Sequence, residues 1–130
     1  MNPIDLAQTY LLALAVYREA RVEPFFGKLL VAQVIKNRVL DPRWPDTYQG
    51  VVLQPRQFSA FNPEDANARV FPPDGVSDVW NDCVAIAKMV RSARGTVTEA
   101  NHYHTIGVSP AWAAGKTPVL EVGRHRFYVL

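Results

Sequence analysis

A continuous apolar helix near the N-terminus constrains the fold of this 130-residue chain more than any other feature. At 3.6 residues per turn, apolar side chains cover nearly every side of it, and one stripe consists of Leu6, Tyr10, Ala13, Leu14 and Tyr17. Asp5 is the predicted N-cap, and Pro24 stops the helix after about Val22. A helix that is apolar on all sides is typical of a buried core element.

Glu19 lies near the end of this helix, and its own face is apolar too. The residues at i−7, i−4 and i−3 are Leu12, Ala15 and Val16. A carboxyl group against hydrocarbon resists ionisation, because desolvation penalises its charged form. Glu19 is therefore a candidate general acid at neutral pH. The alternative is a structural pair with Arg18, Arg21 or another cation near the surface.

Three more helices are predicted. The second spans about residues 24–40 and, with its wide apolar face, forms the central core helix. A short third helix has Asp46 as its N-cap and runs through Leu53. The fourth begins at Ser77 and ends with Gly95 at the C′ position. Its inward face consists of Val79, Cys83, Ile86, Ala87 and Val90. Cys83 on that face is predicted to be a core residue and not a nucleophile.

Residues 54–76 are predicted to form a long irregular segment, because they contain four prolines and one glycine. A loop of this length in so small a domain is often functional. It carries Gln57, Phe58 and Ser59, followed by Phe61 and Asn62. Amides, hydroxyls and aromatic rings form the kind of surface that a sugar prefers. The alternative is a solvated loop held in place by its phenylalanines.

The last third of the chain is predicted to be extended. Residues 101–105, 119–122 and 125–129 read as strands, and Gly123 with Arg124 suits the two-residue loop of a type II′ hairpin. The predicted class is α+β, with a helical body and a small antiparallel sheet in the C-terminal third. By length, residues 1–130 form a single domain.

Composition narrows the functional classes. The 14 basic and 12 acidic residues leave a net charge of +2, which is too small to indicate nucleic-acid binding. A single cysteine gives neither an internal disulfide nor a metal cluster. No stretch approaches 18 apolar residues, and the N-terminus lacks the features of a secretory signal. We expect synthesis in the cytoplasm without a signal peptide, no membrane insertion, no cofactor and a monomeric protein.

One candidate site is a cluster of histidines. His102 and His104 share one face of a predicted strand, and His125 lies on the next strand. Three ligands with one open position would make a catalytic zinc site, and Glu19 would then act as the base of a metal-dependent hydrolase. No HExxH signature accompanies these residues, and paired histidines also occur as simple hydrogen-bonding groups.

A second candidate site places Glu19 opposite the polar loop and the strand residues Asn101, Tyr103 and His104. Cleavage of a glycosidic bond needs a carboxylic acid that protonates the leaving oxygen. Hydrolysis usually needs a second carboxylate as well. One acid is sufficient when the C6 hydroxyl of N-acetylmuramic acid closes onto C1 to give a 1,6-anhydro product, which is lytic transglycosylation.

Six fragments of the chain, taken in order, resemble the spore cortex-lytic, SleB-type cell wall hydrolases. They are YREARVE at 17–23, KNRV at 36–39, GVV at 50–52 with QFS at 57–59, HYH at 102–104, VSPAWA at 108–113 and GRHRFY at 123–128. Each fragment alone is a weak signal, but six in this order are specific. The resemblance covers about residues 10–129.

This resemblance implies a lysozyme-like catalytic domain, a lytic transglycosylase or a muramidase, that acts on the glycan strands of peptidoglycan. The family's catalytic glutamate falls on Glu19, and its second acid falls on Glu23, for which we expect a structural or positioning role. Together with Asn101 and His104, the positions assigned to the substrate cleft are Glu23, Gln57, Phe58, Ser59 and Tyr103.

Two departures from the family pattern bear on activity. Arg18 replaces a small residue, and Val22 replaces a glycine. A cation beside Glu19 could lower the pKa of the acid, or it could contact a carboxylate of the substrate. A silenced acid would leave a non-catalytic peptidoglycan-binding module, which is a third hypothesis beside the glycosidase and the zinc hydrolase. A catalytic domain made in the cytoplasm fits a bacteriophage lysis enzyme released by a holin, or a prophage remnant.

Overall fold

Helices form the body of the protein in a computed structural model that describes residues 2–54, 70–72 and 77–130. Their bounds are α1 Pro3–Ala20, α2 Phe25–Val39, α3 Tyr48–Val52 and α4 Asp78–Ser92. Within the described part of the chain, no helix combines the length and the apolar character needed to cross a membrane.

The helix ends are set by polar caps, two of which differ from the sequence prediction. Asn2 caps α1, because its Oδ1 accepts from the amide of Asp5 at 2.8 Å, so Asp5 lies in the first turn instead of capping it. Thr47 caps α3 where Asp46 was expected. Ser77, where the fourth helix was predicted to begin, is the N-cap of α4.

The C-terminus of α4 also differs from its prediction. The helix ends at Ser92, and its C-cap residue, Ala93, is extended with φ −70° and ψ 141°. The expected Gly95 cap is therefore wrong. Lys36 of α2 takes over at this end, since its Nζ donates to the carbonyls of Val90 and Ala93 at 2.7 and 2.5 Å. A lysine can satisfy terminal carbonyls in place of a left-handed glycine.

The core lies where α1 packs against α2, α3 and α4. The face of α1 below Glu19 is fully enclosed, since Leu12, Ala15 and Val16 are all 0% exposed. The stripe predicted on its other side is only partly buried, because Leu6 and Tyr10 remain largely exposed near the helix N-terminus. Cys83 is buried as predicted, and burial raises the pKa of its thiol to about 11.

Three antiparallel strands complete the α+β fold, as predicted. They are β1 His102–Thr105, β2 Leu120–Val122 and β3 His125–Tyr128, in the order β1-β3-β2. The register pairs Tyr103 with Phe127 and His104 with Arg126. Because strand side chains alternate, these two pairs point to opposite faces of the sheet.

Glu23, in the turn between α1 and α2, joins the helices to the sheet. Its Oε1 accepts from the amide of Arg124 at 2.8 Å and lies 2.7 Å from Nδ1 of His125. The Glu23 and His125 side chains are 2% and 3% exposed. Lys28 Nζ donates to the main-chain carbonyl of Glu23 and holds the turn from the α2 side. The tip of the β2–β3 hairpin is thereby tied to the helical body.

Gly123 allows this close approach, and we expect Gly123→Ala to destabilise the protein. The φ of Gly123 is +57°, and a Cβ there would lie 2.5 Å from Oε1 of Glu23. The left-handed conformation alone costs a residue with a Cβ about 2 kcal/mol, before the carboxylate is displaced. Urea unfolding measures the loss. The control is Gly107→Ala, whose Cβ would meet nothing within 4 Å. Equal changes in the two variants would contradict the tight contact at Gly123.

Candidate active site

Glu19 and Tyr103 meet where the end of α1 faces β1. Glu19 is half-buried, and its side chain lies close enough to the Tyr103 hydroxyl to raise the pKa of that phenol. Burial, first, and then the charge of Glu19 hold the pKa of Tyr103 well above its usual value, while Arg38 acts in the opposite direction. The phenol therefore stays protonated at neutral pH and can donate to a carboxylate oxygen of Glu19. The sequence prediction that these two residues face each other is correct.

The Tyr103 ring packs against two side chains of the neighbouring strand β3. His125 lies edge-on to it at a centroid distance of 5.2 Å, and Phe127 lies at 5.8 Å. Phe127 is fully buried, and His125 is fixed in turn by Glu23. Contacts thus run without a break from Glu23 through His125 and Tyr103 to Glu19.

Glu23 contacts the hairpin and not an open surface. With 2% of its side chain exposed and Oε1 engaged by Arg124 and His125, it has a positioning role in this structure. These contacts suit the structural or positioning role that we expect for Glu23. Its assignment as a substrate contact has no support in this geometry. A buried carboxylate needs such partners, because an unpaired charge in the interior is strongly destabilising.

Arg18 turns toward the segment 70–72. Its Nε donates to the carbonyl of Val70 at 2.9 Å, and its guanidinium lies 4.9 Å from the centre of the Phe71 ring. The residue is 7% exposed, and burial lowers the pKa of its guanidinium from the usual value. Arg18 therefore fastens segment 70–72 to α1 directly beside the acid. The sequence showed an arginine next to Glu19 but could not show this target 52 residues away.

The structure does not bring Asn101 and His104 to Glu19, which corrects the predicted arrangement. The Asn101 side chain holds the end of the chain, donating to the carbonyl of Leu130 and accepting from its amide, both at 2.9 Å. His104 points to the opposite face of the sheet from Tyr103. There its Nε2 lies 2.8 Å from the Tyr128 hydroxyl.

The zinc hypothesis fails on the placement of the three histidines. His102 and His104 share one face of the sheet with Trp112, at ring distances of 5.0 and 5.6 Å. His125 lies on the other face, against Tyr103. Among the described residues no three histidine, cysteine or acidic side chains group as metal ligands. Burial, reinforced by Arg38 and Arg43, lowers the pKa of His102 to about 4, so it is neutral at pH 7.

Gln57, Phe58 and Ser59 lie outside the described residues, so their placement in the cleft stays a prediction. From the sequence, His125 was predicted only as a possible metal ligand and not as a support of Tyr103. The signal was available in the hairpin register, because residues 125 and 127 must share the face of Tyr103 once β1 pairs with β3.

Comparisons with known proteins agree on one family. A sequence model of the protein family described as Cell Wall Hydrolase matches residues 22–128 of this chain, a span that begins after Glu19. A spore cortex-lytic enzyme of Bacillus cereus is 50% identical over 117 residues, covering 90% of this chain and 42% of that protein. One from Halalkalibacterium halodurans is 50% identical over 118 residues, covering 90% and 33%. The chain therefore spans less than half the length of these relatives.

Two solved structures are similar over nearly their full length. The catalytic domain of the Bacillus cereus SleB protein has a TM-score of 0.72 at 29% identity, covering 94% of this chain and 89% of that one. The catalytic domain of the germination-specific lytic transglycosylase SleB from Bacillus anthracis has a TM-score of 0.73 at 26% identity, covering 92% of each chain.

The anchoring role of Arg18 predicts a local effect of Arg18→Lys. Lysine keeps the charge but loses the planar fork and the Nε donor to Val70. We expect faster amide hydrogen exchange in segment 70–72, with little change in α2 or α4. Mass-spectrometric exchange measures this, and the exposed Arg94 supplies the control variant Arg94→Lys. Unchanged exchange at Phe71 would show that Arg18 does not hold the segment.

Proposed function

The chain belongs to the cell wall hydrolase family, and from this premise we propose that it cleaves the glycan strands of peptidoglycan with Glu19 as its general acid. The bond is the glycosidic link between N-acetylmuramic acid and N-acetylglucosamine. One observation carries the proposal: Glu19 is a half-buried carboxyl group at the end of a core helix, and it lies close to the Tyr103 phenol. The relatives are named spore cortex-lytic enzymes, which supports the substrate class.

In the first step the Glu19 carboxyl proton passes to the glycosidic oxygen. The bond from that oxygen to C1 of the muramic residue breaks, and N-acetylglucosamine leaves with a free C4 hydroxyl. The Tyr103 phenol, still protonated, stabilises the carboxylate that Glu19 becomes. General acid catalysis of this kind contributes a rate factor of about 10²–10⁴.

In the second step Glu19 acts as a base. Its carboxylate takes the proton of the C6 hydroxyl while the C6 oxygen bonds to C1, which gives the 1,6-anhydro product. The commitment of Glu23 to Arg124 and His125 favours this route, because hydrolysis usually recruits a second carboxylate. The muramidase alternative has water in place of the C6 hydroxyl.

The contacts of Arg18 favour the catalytic proposal over the non-catalytic alternative. It required Arg18 to neutralise the acid, whereas the Nε and the guanidinium face of Arg18 engage Val70 and Phe71. Action as a bacteriophage lysis enzyme, release by a holin and a monomeric state stay predictions, since no contact among the described residues bears on them.

Glu19→Gln is expected to abolish the loss of turbidity of purified cell walls, by a factor of about 10² or more, because the amide has no transferable proton. Circular dichroism and thermal melting check that the fold is retained. Glu99→Gln, at an exposed acid, is the matched control and should retain full activity. Turbidity loss at the parental rate in Glu19→Gln would remove Glu19 from the mechanism.

The products distinguish the two possible reactions. Mass spectrometry of fragments from digested walls should show 1,6-anhydromuramic ends. These ends are about 18 Da lighter than reducing ends, because they lack one water. Reducing ends would establish hydrolysis instead and leave the role of Glu19 as acid intact.

Tyr103→Phe tests the partner of the acid. Removing one hydrogen bond to a charged group costs about 1.5 kcal/mol, which corresponds to a roughly tenfold lower kcat. KM should change little, because the phenol acts on Glu19 and not on the sugar. Steady-state kinetics on soluble glycan fragments measures the two constants. A higher KM at unchanged kcat would instead make Tyr103 a substrate contact.

A further inference from the structure

A groove of about 560 Å³ lies on the face of the sheet that points away from Tyr103 and Glu19. It runs between the outer side of β1 and β3 and the connection 108–118, which contains a single 3-10 turn at Ala111–Ala113. The connection includes the VSPAWA fragment, which the proposed mechanism leaves without a role. His104, which the structure separates from Glu19, forms part of the groove floor.

The floor is an aromatic surface whose polar atoms are already engaged. His104 stacks on Tyr128 at 5.3 Å, with Nε2 2.8 Å from the hydroxyl and Nδ1 2.7 Å from the carbonyl of Thr105. Trp112 meets both rings, at 5.6 and 5.3 Å, and 37% of this tryptophan is exposed. The floor is therefore rigid and offers ring surface and not free donors.

Charged side chains line the open side of the groove. Lys116 is exposed, and Arg126 pairs with Glu121 at 3.0 Å. Those two paired side chains are 42% and 49% exposed. An ion pair this exposed contributes little, so Arg126 can exchange Glu121 for another carboxylate. Two cations against one anion make the groove complementary to a negatively charged ligand.

We propose that this groove binds the carboxylate-bearing peptide stem of peptidoglycan, with Lys116 and Arg126 as the anion contacts. The inference rests on the proposed function, because that function supplies a polymer in which peptides hang from the glycan strand. A stem that lies in the groove would hold the wall against the sheet while the glycan reaches Glu19. Aliphatic parts of the stem would pack on the rings of His104 and Tyr128 and on Pro110, which line the groove.

Binding to intact purified walls tests the groove, with every variant made in the inactive Glu19→Gln background so that the walls stay undigested. Lys116→Glu should weaken binding about tenfold at low salt, and the difference should shrink at 0.5 M salt as charges are screened (a Debye length of about 4–5 Å). The control is Lys88→Glu, which makes the same charge change at an exposed position on α4. Ala114→Trp is a second variant, because it fills the groove at an exposed alanine.

Walls whose stems have been removed by an amidase identify the ligand. On these strands, which carry free lactyl carboxylates, the penalty of Lys116→Glu should disappear. A penalty of the same size would overturn the peptide assignment, since the carboxylate would then belong to the glycan. Parental affinity of both groove variants for intact walls would overturn the site itself.

The groove and the cleavage reaction can fail separately. Wall binding by the Glu19→Gln proteins does not depend on turnover, so a binding defect confined to the groove variants supports the groove even if the active protein releases no fragments. Efficient cleavage by the active protein, together with parental binding by Lys116→Glu and Ala114→Trp, would contradict the groove alone.

Discussion

A buried contact between one carboxylate and one imidazole fixes the relation between the helices and the sheet. Glu23 and His125 are almost completely enclosed, and the amide of Arg124 supplies a further donor to the same oxygen. Burying a carboxylate is unfavourable unless its partners are held in place, and removing one partner of such a pair costs about 3–5 kcal/mol. The α1–α2 turn and the β2–β3 hairpin are therefore fixed relative to each other. Gly123 at the hairpin tip is needed for this close approach to Glu23.

The two faces of the attached sheet carry different side chains. The inner face carries Tyr103 between His125 and Phe127, and so presents a protonated phenol to Glu19. The outer face carries His104 and Tyr128 beneath Trp112. A rotation of the sheet against the helices would move the phenol away from the acid. The proposed cleavage and the proposed stem binding thus use opposite faces of one sheet.

Periodicity predicted much of this fold because local patterns decide it. The amphipathic face of α4, the apolar face below Glu19 and the positive φ of Gly123 all follow from residues close in sequence. The α+β class follows from the order of those elements. Glu19 could be singled out because a carboxyl group on a core-facing side of a helix conflicts with its surroundings unless it has a function.

Tertiary contacts decided what the sequence could not show. Neither the partner of Arg18 at Val70 nor the clamp of Asn101 on Leu130 leaves a local signal, since each spans at least 29 residues. Asn101 and His104 were grouped with Tyr103 because they are neighbours in sequence. Strand alternation already opposed that grouping for His104, because adjacent side chains point to opposite faces. Asn2 and Thr47 cap their helices in place of the nearby aspartates because of backbone geometry, which composition does not determine.

If Glu19 is the general acid, the scissile bond lies beside its carboxyl group, with Tyr103 behind it. A crystal structure of the Glu19→Gln protein with a bound peptidoglycan tetrasaccharide measures this most directly. We expect a glycosidic oxygen about 3 Å from the side-chain amide of residue 19, which is within hydrogen-bond reach for proton transfer. A glycan bound with every bridging oxygen beyond that reach, next to a different carboxylate, would contradict it.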